Sequence, residues 1–116
     1  AAFGHTMTAM DDGTLWVLAG GVLYKRDLEM KLWSTMTTSG PEPSDRRNAA
    51  MATTGEYLYV HGGTSGSQLS DELWAYSIKT GLWSLLASTG NKPSARSDHA
   101  MTAIGMNLYI HGGWSG

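Results

Sequence analysis

The chain has 116 residues, of which 41% are hydrophobic and 16% are charged, values that are typical of a globular domain and exclude a disordered segment. A formal net charge of -2 and short apolar runs exclude a basic nucleic-acid surface and a membrane helix, so we expect neither nucleic acid nor direct membrane insertion. The absence of cysteine excludes disulfides, thiolate metal sites and a cysteine nucleophile, and it leaves the compartment open.

The beginning of the chain predicts four short β-strands joined by turns. Residues 3–21 are expected to form a hairpin, because an Asp-Gly turn separates two runs of β-prone residues. A third strand is predicted at residues 23–28 and a fourth at residues 33–36. The Thr, Ser, Gly and Pro residues between 37 and 43 predict a connecting loop. The sequence shows no helical period, so the expected fold class is all-β.

The same order of elements returns further along the chain. Tyr-Val-His-Gly-Gly at residues 59–63 recurs as Tyr-Ile-His-Gly-Gly at residues 109–113, and residues 43–66 are identical to residues 93–116 at 13 of 24 positions. In the second unit, strands are predicted at residues 49–54, 57–61, 73–78 and 83–86, with a polar loop at 64–71. Repeats of roughly 44 to 50 residues with four short strands indicate the blades of a β-propeller.

The second unit also carries a specific set of residues. A double glycine at residues 62–63 is followed by Tyr76 and Trp83, which are separated by six residues. This combination resembles a kelch repeat, and the resemblance covers essentially the whole chain. It implies a partial kelch-type β-propeller, with two four-stranded antiparallel blades plus the first hairpin of a third. The repeat pattern assigns structural roles to Gly20, Gly21, Trp33, Gly62, Gly63, Tyr76, Trp83, Gly112 and Gly113.

The repeat divides the chain into three parts. Blade one is expected at residues 3–40, blade two at residues 43–90 and a half blade at residues 93–116. Blade one departs from the pattern, because Arg26 stands where blade two has its tyrosine and the loop after its glycine pair is shorter. Propellers close with roughly four to eight blades, so we expect these residues to be a segment of a longer chain or of a larger assembly.

Arginines precede the innermost strands of the second and third units. Arg46, Arg47 and Arg96 follow Pro-Ser in the connectors, which in kelch propellers line the mouth of the central channel. The resemblance therefore implies a contact with acidic or backbone groups of a partner, for which the guanidinium fork is suited. Arg46 and Arg96 recur in register, so a structural tie between blades is an equal alternative for them. Arg47 does not recur and is the stronger partner candidate.

The polar loop of the second unit is a further candidate. Ser67, Gln68 and Asp71 lie in a glycine-containing segment of the kind that carries function on a rigid scaffold. Simple exposure to solvent is the alternative interpretation. The loop lacks the glycine spacings of a nucleotide cradle, so we expect no nucleotide or other cofactor there.

Histidines and tryptophans could suggest other chemistry. His61 and His111 precede the glycine pairs, where we expect each ring to satisfy a loop carbonyl rather than to bind a metal. His5 and His99 are equivalent to each other, but no carboxylates stand at ligand spacing, so no metal site is predicted. The five tryptophans are expected to pack in the core rather than to stack on sugars.

These observations favour a non-catalytic scaffold that binds other protein chains. No motif combines a nucleophile, a base and an oxyanion donor. The alternative is a propeller that processes sugars or other small molecules, as some kelch proteins do, although the Cys that copper-radical oxidases of that kind require is missing. A third possibility is a permanent subunit of a large assembly, which differs from the scaffold only in the lifetime of its contacts.

Overall fold

The computed structural model describes residues 6–10, 13–19, 22–27, 32–36, 43, 46–65, 68–86, 93–104 and 107–115. These residues form twelve short β-strands, and the described part of the chain contains no helix. It accordingly holds no helix with the length and apolarity needed to cross a membrane. The all-β prediction is confirmed.

Blade one is a four-stranded antiparallel meander. Its strands are β1 (Thr6–Ala9), β2 (Leu15–Ala19), β3 (Val22–Asp27) and β4 (Leu32–Thr35), paired in that order. In β2, Trp16 and Leu18 are buried while Leu15 and Val17 are partly exposed. This alternation follows from the two-residue period of a strand, and it turns one face of blade one toward blade two.

Blade two repeats this arrangement. Its strands are β5 (Ala50–Thr53), β6 (Tyr57–His61), β9 (Leu73–Ser77) and β10 (Leu82–Leu86), in the sheet order β10-β9-β6-β5. The segment predicted as a polar loop is more regular than expected, because β7 (Thr64–Ser65) and β8 (Gln68–Leu69) pair within it. The backbone of Thr64 pairs both with Leu69 of β8 and with Arg47 of the connector that precedes β5. These pairings give the segment its regular structure.

A single hairpin follows blade two. It consists of β11 (Ala100–Ile104) and β12 (Asn107–His111). The innermost strands β1 and β11 both contact β5, so the three units lie side by side around it. Small side chains at Ala50 and Ala52 permit this close approach, and both are buried. The prediction of two four-stranded blades plus a hairpin is therefore confirmed.

The core lies mainly between blade one and blade two. The ring of Tyr76 lies 6.2 Å from Trp16 across this interface and 5.1 Å from Trp83 within blade two. The buried cluster contains Trp16, Leu18, Leu23, Ala49, Met51, Leu58, Val60, Trp74, Tyr76 and Trp83. The expectation that all tryptophans pack in the core is wrong for Trp33 and Trp114, which are 52% and 60% exposed. Trp33 shares a blade face with Arg26 and Leu15, the face opposite the one that carries Trp16.

Candidate functional site

The glycine pair of blade two is the point where the connectors of two units meet. Gly62 and Gly63 have φ angles of 74° and 96°, which L side chains rarely adopt. A Cβ on Gly62 would lie 2.5 Å from the carbonyl oxygen of Arg96, and one on Gly63 would lie 3.0 Å from that of Arg47. Glycine is required here because two backbone segments approach it closely. The pair at Gly20 and Gly21 lies outside the described residues.

Backbone hydrogen bonds hold both connectors against blade two. The amides of Arg47 and Thr64 each donate to the carbonyl of the other at 2.8 Å. The amide of Gly63 donates to Arg96 O at 2.8 Å, and the amide of Arg96 donates to Ser70 O at 3.2 Å. We use the term loop end for the surface formed by residues 46–48, 62–65, 68–72, 96–98 and 112–114. Its backbone is held by these bonds, so its side chains leave the surface from defined backbone positions.

The residues before the innermost strands share an unusual backbone conformation. Asn48 and Asp98 occupy equivalent positions and have φ angles of 59° and 57°. Asn and Asp tolerate this left-handed region better than other side chains. The amide of Asp98 donates to the carbonyl of Asn48 at 2.9 Å, which ties one connector directly to the next.

Arg46 lies inside blade two. Its side chain is 3% exposed, and Nη2 lies 3.0 Å from Glu72 Oε1. Nη1 donates to Gly62 O and to Ser70 Oγ, each at 3.2 Å. The hydrogen bonds that Arg46 and Trp74 donate hold the pKa of Glu72 below its ordinary value. These contacts all lie within blade two, so they are structural contacts of one blade and differ from the tie between blades that the sequence left open.

Arg96 makes the corresponding contacts in the third unit and is only partly buried. Its Nη1 donates to Gly112 O at 3.0 Å, as Arg46 does to Gly62. Nε and Nη2 donate to the carbonyl and hydroxyl of Ser94 at 3.2 and 3.1 Å. The recurrence of the arginine in sequence is thus matched by a recurrence of one hydrogen bond.

Arg47 and Gln68 are the exposed members of the predicted partner-binding set. Both lie at the loop end, where Asp71 is partly exposed. Ser67 lies outside the described residues. A small cleft of about 270 Å³ is lined by Arg46, Ser65, Gln68, Leu69, Ser70, Asp71 and Glu72. The structure therefore brings Arg46, Gln68 and Asp71 to one cleft, with Arg47 adjacent to it along the chain.

His61 and His99 meet between blade two and the third unit. Nδ1 of His61 lies 3.0 Å from Nε2 of His99, and the rings are perpendicular. The expectation that His61 satisfies a loop carbonyl is wrong, because this ring pairs with a histidine of the next unit. The remaining ring nitrogens, His61 Nε2 and His99 Nδ1, are buried without a hydrogen-bond partner. The described residues contain no group of three metal-ligating side chains.

The environment of this pair favours neutral rings. Burial is the main cause that lowers the pKa of His61 from 6.5 to about 4, and His99, Arg96 and Arg46 lower it further. Asp71 acts in the opposite direction. The pKa of His99 is also lowered, by burial first and then by Arg96. At neutral pH one ring therefore donates and the other accepts within a neutral pair.

A larger cavity of about 610 Å³ lies at the opposite ends of the innermost strands. Its described walls come from all three units and carry hydroxyl, methyl and thioether groups, with no charged side chain among the described lining residues. The lining residues are Thr8, Ala9, Met10, Ala52, Thr53, Thr54, Gly55, Met101, Thr102 and Ala103. The described lining groups include no ordinary general acid or base.

Sequence reasoning missed Trp114 as a residue of the loop end. Its amide donates to Ser97 O at 2.8 Å, and the amide of Ser97 donates back at 2.9 Å. Trp114 stands where blade two has Thr64, and Ser97 stands where blade two has Arg47. The signal was available, because these are two of the positions at which the otherwise similar copies differ in chemistry.

Comparison with known proteins is consistent with this architecture. The model of the KLHDC2/KLHL20/DRC7 Kelch-repeats domain matches residues 1–113. The Rab9 effector proteins with kelch motifs of Rattus norvegicus and Homo sapiens are each 32% identical to the chain over 79 residues. Each match covers 60% of this chain and 21% of the relative, so the chain spans about a fifth of the relatives' length. Because the matched domain extends over both blades and the hairpin, the chain belongs to the KLHDC2/KLHL20/DRC7 kelch-repeat family.

Proposed function

We propose that this chain is a non-catalytic protein-interaction scaffold whose protein partner binds at the loop end. The scaffold comprises blade one at residues 3–40, blade two at residues 43–90 and a half blade at residues 93–116. The observation that carries the proposal is the exposed residue Arg47 on a backbone held by two hydrogen bonds to Thr64. A cation on an ordered loop is suited to bind a carboxylate, because the backbone that carries it loses little conformational entropy on binding.

The other candidate residues have different proposed roles. Gln68 and Asp71 flank the cleft beside Arg47 and offer hydrogen-bonding groups to a partner, as does Ser67 in our proposal. Arg46 and Arg96 stabilise the backbone of this surface, because they donate hydrogen bonds to the carbonyls of Gly62 and Gly112. The name of the curated relatives describes an effector, which supports a protein as the class of partner.

A catalytic role has less support. The lining residues of the larger cavity that the structure describes are uncharged, and the cleft at the loop end holds Glu72 in an ion pair with Arg46. An ion-paired carboxylate with a lowered pKa is a poor general base at neutral pH. Binding of a protein therefore accounts better for this surface than a reaction does.

The test is the substitution Arg47→Ala. We expect loss of most binding to a partner that the wild-type chain retains in a pull-down with quantitative mass spectrometry, confirmed as a raised Kd for the purified partner. The free energy of unfolding should change by less than about 0.5 kcal/mol, because the side chain is exposed and its removal creates no cavity.

Lys79→Ala is the matched control, since it removes an exposed cation from the turn between β9 and β10. It should leave the Kd unchanged. An Arg47→Ala variant that binds the same partner with the wild-type Kd would remove Arg47 from the site. A wild-type chain that retains no protein would contradict the proposed function itself.

A further inference from the structure

The loop end contains two equivalent backbone bridges that present different side chains. In the first bridge, Arg47 pairs with Thr64, and in the second, Ser97 pairs with Trp114. The four hydrogen bonds of the two bridges measure 2.8 to 2.9 Å. The backbone geometry is thus repeated while the chemistry changes, from a cation in one bridge to an aromatic ring in the other.

In each bridge, one residue is more exposed than the other. Arg47 is exposed over a partly buried Thr64, whereas Ser97 is 2% exposed beside a Trp114 that is 60% exposed. Thr64 remains partly exposed although the third unit packs against blade two, so its position belongs to the loop-end surface. By equivalence, Trp114 occupies the same surface. An exposed tryptophan on fixed backbone is suited to binding, because Trp and Arg are the side chains enriched in interface hot spots.

The two bridges are also held in a fixed relation to each other. The bond from the Asp98 amide to the Asn48 carbonyl connects the residues that directly follow Ser97 and Arg47. The charges around them are mixed, since Arg96, Asp71 and Asp98 all lie at the loop end. A uniformly acidic partner surface would be repelled by these aspartates, so a partner segment with a single carboxylate suits the loop end better.

We propose that the loop end binds an extended protein segment that places a carboxylate on Arg47 and a large apolar side chain on Trp114. This inference rests on the proposed function and specifies the chemistry of the partner. The ring provides burial for an apolar group, and the guanidinium provides a charge-assisted hydrogen bond. The two bridges lie on neighbouring connectors, and the spacing between the two partner residues is the variable that the experiment scans.

A panel of synthetic peptides on the purified 116-residue chain tests the inference. Each eight-residue peptide carries one glutamate and, one to four positions away, either leucine or serine in a glycine-serine background. For at least one spacing we expect the leucine peptide to bind about tenfold more tightly than its serine counterpart, the effect of burying one such side chain. The glutamate-to-glutamine peptides should bind weakly throughout.

The repeat itself supplies the variants. Trp114→Thr installs the residue that blade two carries at this position, and it should abolish the preference for leucine while leaving the affinity for the serine peptide unchanged. Arg47→Ser installs the residue of the third unit, and it should abolish the preference for glutamate. Trp33→Thr removes another exposed tryptophan and should change neither preference.

The outcomes separate the two proposals. A preference for glutamate without any preference for leucine, or a leucine preference that persists in Trp114→Thr, would overturn the inference and leave the proposed function intact. A uniform loss of binding by Trp114→Thr to the leucine and serine peptides would also overturn it. Peptides that bind no more tightly than a glycine-serine control would contradict both the inference and acidic recognition at Arg47.

Discussion

Blade two and the third unit have similar inner strands but different burial. Leu58 and Val60 of β6 are both 0% exposed, whereas the equivalent Leu108 and Ile110 of β12 are partly exposed. The same contrast separates Gly62, which touches the next unit, from Gly112, which has no described atom within 4 Å of an added Cβ. Among the described residues, blade two has neighbouring units on both faces, and the third unit has one on a single face. Burial in this fold therefore depends on the neighbouring blade as much as on the sequence of the blade itself.

The largest expected difference is in the stability lost when Trp83 or Trp33, which occupy equivalent positions, is replaced by alanine. Trp83 is 5% exposed against Tyr76, whereas Trp33 is 52% exposed beside Arg26. We expect Trp83→Ala to lower the free energy of unfolding by about 3 to 5 kcal/mol and Trp33→Ala by less than about 1 kcal/mol. Chemical denaturation of the two variants measures both values. Equal losses would show that burial does not distinguish the two blades.

The next effect concerns the dependence of stability on pH. The unfolded chain binds a proton at His61 near pH 6.5, whereas the folded chain binds it only near pH 4. Stability should therefore be greatest above pH 6.5 and fall as the pH decreases toward 4, by up to about 3 kcal/mol. His99 contributes in the same direction, since its pKa is also lowered.

Urea denaturation between pH 7 and pH 4 measures this dependence. His61→Gln should flatten it, because the titrating ring is removed. His111→Gln is the matched control, since His111 ends the equivalent strand but is exposed, and it should leave the wild-type pH dependence unchanged. Parallel curves for the wild type and His61→Gln would assign the pH dependence to other groups.

The smallest difference in stability is expected between alanine substitutions at Gly62 and at Gly112, the first glycines of the second and third pairs. Gly62 and Gly112 have φ angles of 74° and 73°, so alanine carries the same backbone strain at both positions. At Gly62 the added Cβ also meets the carbonyl of Arg96 at 2.5 Å. We expect Gly62→Ala to be more destabilising than Gly112→Ala by about 2 kcal/mol, the cost of local overpacking. The difference in thermal midpoint between the variants measures this contribution, and identical midpoints would refute a steric role for the neighbouring connector.

Much of the fold could be predicted from the sequence because its signals are local and repeated. The glycine pairs end strands, the turns carry Gly and Asp, and the fifty-residue spacing of the motif around His61 and His111 indicates a repeat. Two-residue strands within the segment from 64 to 71 escaped prediction. They are too short to show alternation, and their pairing depends on the position of the turn between them.

The candidate site was less accessible to such reasoning. Equivalence along the sequence relates His61 to His111, whereas the fold places His61 against His99, which directly precedes the innermost strand of the following unit. In the same way, Arg46 and Arg47 are adjacent in sequence, yet one is buried in an ion pair and the other is exposed. These distinctions arise from the direction in which each side chain leaves the connector.

The sequence by itself determined the strand content, the order of the strands and the kelch pattern of the blades, because strand alternation and glycine placement act over a few residues. Only the tertiary structure decided which repeated residues are buried, which histidines meet and which tryptophans face solvent. Two blades pack through faces whose members are distant along the chain, and their contacts depend on the twist and position of both sheets. Identical residues such as Leu58 and Leu108 thus acquire different environments.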